Sequence, residues 1–190
     1  SPWGWPRRLQ GIILKGLMTI SISSGVVIVG GGVSGLSLAQ SLRARGVMPL
    51  VLERARGVGG RCATRRFDGW PVDHGVPFLH GRGPECLATL GAVGGATPIH
   101  GWPHRRAGGG VPCQPEAFEG EDRLLAFREG LTRFPKHLAR GLAVRLEANV
   151  VSLRAAEDAP HLVATLQSGE TIRAGVLVGV WYARRRAEKA

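Results

Sequence analysis

An apolar, β-branched run at residues 26–29, VVIV, predicts a buried strand and opens the clearest pattern in the chain. Three consecutive glycines follow it, and the pattern then changes to helical spacing, which predicts a helix over residues 34–45. The apolar positions of that helix are Leu36, Leu38, Ala39 and Leu42. Gly46 stands where a glycine favours the end of a helix. A second apolar run at residues 48–53 completes a predicted βαβ unit.

The pattern beyond this unit is less regular. Residues 54–121 are rich in Gly, Pro, Arg and His, so we expect loops that are functional or contain small elements that periodicity does not reveal. Helical spacing returns within residues 121–142, with Pro135 predicted in the first turn of the helix. Residues 142–157 then predict a strand. The last predictions are a hairpin with a Ser-Gly turn at residues 161–175 and an apolar strand at 176–180.

These elements predict an α/β fold, namely a Rossmann-type βαβ domain with a parallel sheet and an added antiparallel β hairpin. The predicted domain spans residues 19–180 and includes an irregular insert at about 62–120. We expect residues 1–18 to be an unstructured extension and residues 181–190 to be a basic tail. Because the last apolar strand leads directly into that tail, we expect the domain to be incomplete.

Chain length and net charge exclude few classes of function. A chain of 190 residues with 44% hydrophobic residues can bury one core of ordinary size. The formal net charge is +11, and almost all of the 25 basic residues are arginines, which could indicate a nucleic-acid partner. The arginines are spread along the chain without interleaved aromatic residues, so we favour a solvated basic surface and expect no nucleic-acid partner.

The cysteines predict neither a disulfide framework nor a zinc site, because there are three of them and no CxxC pair. A reducing, cytoplasmic setting is therefore expected. Cys62 beside Arg61 could be a reactive thiol, but a small buried side chain is the preferred interpretation. Residues 16–42 are uncharged, yet they contain so many Gly and Ser residues that we expect neither a membrane span nor a signal peptide.

The glycine turn, defined here as residues 30–35, carries the main chemical signal. Gly30, Gly32 and Gly35 fit the pattern GxGxxG, in which the first allows a tight turn, the second lets a pyrophosphate approach, and the third lets helix and strand pack closely. The helix beginning near Ser34 directs its free N–H groups and positive dipole end toward a phosphate. Glu53, at the end of the second predicted strand, can bind a ribose 2′-hydroxyl. This context predicts dinucleotide binding.

A second candidate phosphate-binding turn follows Glu53, the acid that is expected to bind the ribose. Glu53 would repel a 2′-phosphate, although Arg54 and Arg56 could reverse that preference, so NADP stays open. The GGR turn, defined here as residues 59–61, combines flexible backbone with a guanidinium whose donors suit phosphate oxygens. A plain NAD domain has no need of such a turn, and the alternative interpretation is an arginine-rich surface loop.

Three segments together resemble the FAD-dependent amine-oxidase superfamily, and within it the renalase-like NAD(P)/FAD-dependent oxidoreductases: VVIVGGGVSGLSLAQSLRARG, LERARGVGGRCATRR and VDHGVPF. The resemblance covers about residues 26–180, and this part of the chain resembles the N-terminal half of such proteins. It implies an FAD cofactor, a small-molecule substrate and a hydride passed to the flavin from an amine or a reduced nicotinamide, NAD(P)H.

The resemblance also implies which residues contact FAD. The glycine turn would hold the pyrophosphate, the GGR turn would lie near the phosphates and ribityl chain, the segment after Gly75 would approach the flavin, and Val150 would flank the adenine. The expected cofactor-binding residues are Gly30, Gly32, Val33, Ser34, Gly35, Glu53, Arg54, Gly60, Arg61, Pro77, Phe78 and Val150. Val76, Pro77 and Phe78 replace the side-chain amide that the family often has near the flavin.

No catalytic residue and no metal site are predicted. The candidates by residue type alone are His74, His80, His100 and His104. Three functions stay open: an FAD-dependent oxidoreductase or an inactive fragment of one, a non-catalytic NAD(P)/FAD dinucleotide-binding module, and a basic nucleic-acid-binding protein. The oligomeric state is equally open.

Overall fold

The structure is a computed structural model that describes residues 21–81, 83–99, 105–106, 112–113, 124–156 and 160–180. The predicted extension at 1–18 and the predicted tail at 181–190 lie outside the described residues, as do His100 and His104.

The described residues form short strands, three helices and one 3₁₀ turn at Gly60–Cys62. The helices are α1 Val33–Arg43, α2 Pro84–Val93 and α3 Arg133–Leu138. The strands are β1 Ser21–Val29, β2 Leu50–Leu52, β3 Thr64–Phe67, β4 Trp70–Asp73, β5 Leu79–His80, β6 Ala96–Pro98, β7 Arg105–Arg106, β8 Pro112–Cys113, β9 Leu124–Phe127, β10 Ala143–Arg145, β11 Val150–Ala155, β12 Leu162–Leu166 and β13 Thr171–Gly179.

The main sheet has the strand order β10-β2-β1-β13-β12-β11. Strands β10, β2, β1 and β13 are parallel, and β12 and β11 extend the sheet in antiparallel fashion. The unit β1–α1–β2 is the predicted βαβ unit, with Val27 opposite Leu50. The predicted fold class, a Rossmann-type parallel sheet with an added antiparallel hairpin, is therefore confirmed.

Three predictions in the carboxyl half of the chain are wrong in detail. Helical spacing predicts a helix within residues 121–142, but Leu124–Phe127 form strand β9, and the helix α3 is confined to Arg133–Leu138 with Pro135 in its first turn. The strand predicted at residues 142–157 is two strands, β10 and β11, separated by a turn in which Glu147 has φ +55°. The hairpin strand and the final strand are one continuous strand, β13. It pairs with β12 in its first half and with β1 along its length, so one run of apolar residues serves both the hairpin and the parallel sheet.

The region predicted as irregular contains real elements. They include the ribbon β3–β4, the helix α2 and the small sheet with strand order β5-β9-β6. Leu87, Leu90 and Val93 follow one another at three-residue intervals in α2, and Leu90 is buried. That spacing is the signal that the prediction missed.

Each face of the main sheet has its own core. On one face, α1 and α3 cover the sheet with Leu36 and Phe134, which pack in the same cluster as Ile28 and Val51. On the other face, residues of the antiparallel strands pack against Val27 and Leu52. Each fully buried Leu or Ile contributes about 2 kcal/mol, so both faces stabilise the edge of the sheet where β1 and β2 end. No helix in the described part of the chain is long and apolar enough to cross a membrane.

Candidate functional site

The glycine turn begins where β1 ends, and two of its glycines are required by packing. Gly30 has φ +119°, and its N–H donates to the carbonyl of Leu52 at 2.8 Å. A Cβ added to Gly30 would overlap the carbonyl oxygen of Val180, and one added to Gly35 would overlap the carbonyl oxygen of Gly30. These glycines therefore let β1, β13 and the start of α1 lie close together.

Gly32 is different, because a Cβ added there would meet nothing within 4 Å. Its φ of −79° is accessible to any residue, so backbone strain does not require a glycine at this position. Helix α1 begins directly after it, and the N–H of Leu36 makes an early helical bond to the Gly32 carbonyl at 3.0 Å. The N–H groups of the first turn, at Val33, Ser34 and Gly35, precede that bond. The open space above Gly32 therefore lies at the positive end of the helix.

Glu53 is buried, at 8% exposure, and its carboxylate faces the glycine turn. Oε2 accepts the N–H of Gly31 at 2.6 Å, and Oε1 accepts the N–H of Ala55 at 2.8 Å. A carboxylate has about four acceptor positions, so about two remain for hydroxyl donors of a ligand. Sequence reasoning placed Glu53 near this turn, but it missed that the same carboxylate also holds the turn in shape.

The GGR turn lies directly against the glycine turn. The N–H of Gly59 donates to the Gly31 carbonyl at 2.9 Å, and Gly32 and Gly59 form a β-bridge. Gly59 and Gly60 have φ values of +138° and +56°, which bend the chain into the 3₁₀ turn that carries Arg61. The Arg61 side chain is exposed and makes no ion pair with any of the described residues. The main chains of the two turns are thus directly hydrogen-bonded, and Arg61 belongs to the second of them.

The segment after β4 packs against the same turn. The N–H of Val76 donates to the carbonyl of Arg61 at 3.0 Å, and a Cβ on Gly75 would overlap that carbonyl oxygen. Pro77 is exposed. Phe78 is 7% exposed, and its ring meets His80 edge-to-face with centroids 6.3 Å apart. The structure therefore brings Gly75 and Pro77 beside the GGR turn, whereas Phe78 packs into the core.

Val150 and Arg54 lie at the other end of the site. The N–H of Ala148 donates to the Glu53 carbonyl at 2.9 Å, so the chain entering β11 runs beside Glu53. Val150 is half-buried at the start of β11, and Arg54 is exposed. The start of β11, with Val150, therefore follows directly after the segment that is bonded to Glu53.

Sequence reasoning missed three polar residues behind the GGR turn. Thr64, Asp73 and Thr132 are joined by hydrogen bonds, among them Thr64 Oγ1 donating to Asp73 Oδ1 at 2.5 Å. The neighbouring Cys62 is buried, and burial raises the pKa of its thiol, an effect that Arg61 opposes and Asp73 reinforces. The preferred interpretation of Cys62 as a small buried side chain is therefore confirmed. No sequence spacing marks Thr132, because it joins the others only through the fold.

Comparisons with known proteins agree with this geometry. The profile of the NAD(P)-binding Rossmann-like domain family matches residues 28–91, which include both turns. The chain is 41% identical over 59 residues to polyamine oxidase 2 of Arabidopsis thaliana, covering 31% of this chain and 12% of that protein. It is 47% identical over 47 residues to a flavin-containing amine oxidase of Oncorhynchus mykiss, covering 25% and 9%. An uncharacterized protein of Acanthamoeba polyphaga mimivirus is 42% identical over 83 residues, covering 36% and 17%.

Solved structures show the same fold over more of the chain. A double mutant of putrescine oxidase superposes with a TM-score of 0.63 at 14% identity, covering 85% of this chain and 59% of that one. A fatty acid isomerase from P. acnes superposes with a TM-score of 0.62 at 13% identity, covering 83% and 59%. The chain thus spans less than two thirds of the length of these proteins. Together, these comparisons show that residues 28–91 match the NAD(P)-binding Rossmann-like domain family and that the chain is similar in sequence to flavin-containing amine oxidases over part of its length.

Proposed function

We propose that this chain binds FAD across the glycine turn and the GGR turn and acts in an oxidoreductase of the amine-oxidase type. The observation that carries the proposal is the open space above Gly32, at the start of α1. Glu53 binds the neighbouring Gly31, and Gly32 forms a β-bridge with Gly59 of the GGR turn. A dinucleotide needs such a surface, because its pyrophosphate must approach bare backbone while a carboxylate binds the sugar.

The described residues fit FAD part by part. The pyrophosphate would lie on the N–H groups at the start of α1, with Arg61 as a second donor. Glu53 would accept hydrogen bonds from the ribose hydroxyls. It would use the acceptor positions that the N–H groups of Gly31 and Ala55 do not occupy. Val150 would lie beside the adenine, and the flavin would extend toward Pro77. The buried Phe78 would support that segment from behind.

When bound, FAD supplies the redox chemistry, accepting a hydride from an amine or a reduced nicotinamide and passing electrons on to an acceptor such as oxygen. The chain contributes binding and orientation: main-chain N–H groups neutralise phosphate charge, and the two rigid turns fix where the flavin lies. An amine substrate is supported by the relatives, which are named polyamine oxidase and flavin-containing amine oxidase. NAD(P)H is the alternative electron donor.

FAD titration of the purified protein tests the binding step. We expect saturable binding, seen as a change in flavin fluorescence and absorbance. Gly32→Val places a side chain in the open space, and its Cβ meets no other residue, so we expect FAD affinity to fall at least tenfold while the unfolding midpoint stays unchanged. Gly57→Val is the matched control, because Gly57 is exposed and equally free of neighbours. A folded wild-type protein that does not bind FAD would overturn the proposal.

Anaerobic mixing with a diamine such as putrescine, or with NADH or NADPH, then tests turnover. Bleaching of the flavin band by one of these donors supports the oxidoreductase and identifies the donor class. A second candidate function, a non-catalytic dinucleotide-binding module, is favoured by one observation: the described residues at the two turns offer main-chain donors, a carboxylate and a guanidinium, and none of them is assigned a proton-transfer role. Tight FAD binding without reduction by any donor would support that module instead.

A further inference from the structure

Thr64, Asp73 and Thr132 form a closed hydrogen-bonded unit behind the GGR turn, which we call the threonine latch. Its centre is a reciprocal pair: the N–H of Thr64 donates to Thr132 Oγ1 at 2.6 Å, and the N–H of Thr132 donates to Thr64 Oγ1 at 3.0 Å. The two threonines lie far apart in the sequence, on β3 and just before α3. The latch therefore joins two elements that no local pattern connects.

The hydroxyl protons of the latch have defined directions. A threonine hydroxyl has one proton to donate, and carboxylates and carbonyls only accept. Thr64 Oγ1 donates to Asp73 Oδ1 at 2.5 Å, and Thr132 Oγ1 donates to the carbonyl of Cys62 at 3.0 Å. Asp73 Oδ1 also accepts the N–H of Leu131 at 3.0 Å. Each hydroxyl thus accepts once and donates once, which leaves the unit internally satisfied.

The latch holds the main chain that directly follows Arg61, and it includes the residue that ends the strand leading to a second contact with Arg61. Cys62, whose carbonyl accepts from Thr132, directly follows Arg61. Asp73 leads into the segment in which the N–H of Val76 binds the Arg61 carbonyl at 3.0 Å. The Arg61 guanidinium is exposed, so its position depends on how firmly the main chain of Arg61 is held. None of the three latch residues belongs to the surface assigned to FAD.

We propose that the threonine latch is a positioning unit for Arg61, setting how strongly that guanidinium binds the FAD pyrophosphate. This inference rests on the proposed function. The physical reason is preorganisation: a turn already fixed in the binding conformation loses little further freedom when the ligand arrives. Without the latch, the GGR turn keeps every atom that would touch FAD but samples other conformations, and FAD affinity falls.

A matched pair of variants separates positioning from general stability. Thr132→Val keeps the shape of the side chain but leaves the Cys62 carbonyl and the Thr64 N–H without partners. Gln40→Met is the control, because the Gln40 amide also donates two bonds to main-chain carbonyls, those of Leu138 and Arg140, but at the opposite end of α3 from Thr132. Thr132→Val should lower FAD affinity at least tenfold, Gln40→Met less than twofold, and Thr132→Ser should restore near wild-type affinity.

A double-mutant cycle shows whether the latch acts through Arg61. In wild-type background, Thr132→Val should weaken FAD binding at least tenfold, whereas in an Arg61→Ala background the same change should weaken it less than twofold. Fully additive effects, or equal losses for Thr132→Val and Gln40→Met, would show that the latch is only structural and overturn the proposal. Should Thr132→Val fail to fold, Asp73→Asn, which weakens both bonds to Oδ1, takes its place in the cycle.

The outcomes also separate this inference from the function on which it rests. Folded wild-type protein that does not bind FAD overturns the proposed function, and the role of the latch with it. Wild-type protein that binds FAD with an affinity indifferent to Thr132, Asp73 and Arg61 overturns the latch alone.

Discussion

The glycine turn and the GGR turn lie against each other, yet they are held in different ways. The glycine turn is shaped by its neighbours in the βαβ unit: Gly30 bonds to Leu52 at the end of β2, and Gly31 bonds to Glu53. The GGR turn is supported from outside that unit, by Thr132 before α3 and by the segment around Gly75. The first turn is therefore a local motif, whereas the second depends on tertiary contacts.

The largest effect should come from damage to the packing of the glycine turn. Gly35→Ala places a Cβ on the carbonyl oxygen of Gly30, where backbone meets backbone and little can move. We expect a loss of about 3 kcal/mol in the free energy of unfolding, the upper end for overpacking. Urea unfolding followed by circular dichroism measures it.

Gly32→Ala is the control within the same turn. Its Cβ meets no atom, so the free energy of unfolding should change by less than about 0.5 kcal/mol while FAD affinity falls. Equal destabilisation by the two alanine variants would contradict the division of the turn into a packing part and a ligand part.

For the GGR turn, the corresponding change is Gly75→Ala, in the segment that packs against Arg61. The new Cβ would displace the carbonyl of Arg61, so we expect a loss of about 2 kcal/mol in the free energy of unfolding together with weaker FAD binding. Gly83→Ala serves as control, because Gly83 has open space around it. If Gly75→Ala lowered stability without altering FAD affinity, the position of Arg61 would not matter for binding.

Glu53→Gln tests the residue that joins the glycine turn to the sugar site. One of the two main-chain donors, at Gly31 or Ala55, would then face an amide NH₂, donor against donor. We expect a loss of about 2 kcal/mol in the free energy of unfolding and an affinity for FAD about tenfold lower. Both are measured on one preparation, with Glu147→Gln, an exposed glutamate nearby, expected to behave as wild type.

The smallest effect concerns a contact that is part of neither turn, the bidentate pair of Arg145 and Glu170. The hydrogen bond from Arg145 holds the pKa of Glu170 below its ordinary value. A lowered carboxyl pKa stabilises the fold above the unfolded pKa, and that contribution is lost as pH falls through the folded pKa. Glu170→Gln should therefore lower the free energy of unfolding by about 1 kcal/mol at pH 7.

The same variant should lose its disadvantage against wild type in strongly acidic solution, where Glu170 is protonated in both the folded and the unfolded chain. Urea unfolding at both pH values measures the difference. In an Arg145→Met background, Glu170→Gln should cost nothing further. If Glu170→Gln still lowered the free energy of unfolding in the Arg145→Met background, the stabilisation would come from a partner other than Arg145.

Prediction from sequence succeeded where the signal was local. The run from β1 through Gly30 to α1 is contiguous, and its periodicity changes at the turn, so strand, turn and helix were predicted within a few residues. It failed for α2, whose short apolar spacing lies in a region rich in Gly and Pro. It also failed to separate β10 from β11, because the positive φ of Glu147 has no strong sequence signal.

The sequence by itself determined the βαβ unit, the glycine turn and the presence of Glu53 at the end of β2, because backbone conformation and hydrophobic spacing there depend on neighbouring residues. Only the tertiary structure decided that Gly59 bonds to Gly31, that Thr132 binds the chain beside Arg61 and that the Glu53 carboxylate supports the turn it faces. Those contacts join residues distant along the chain. Their geometry is set when the two faces of the main sheet pack, and no spacing in the sequence encodes it.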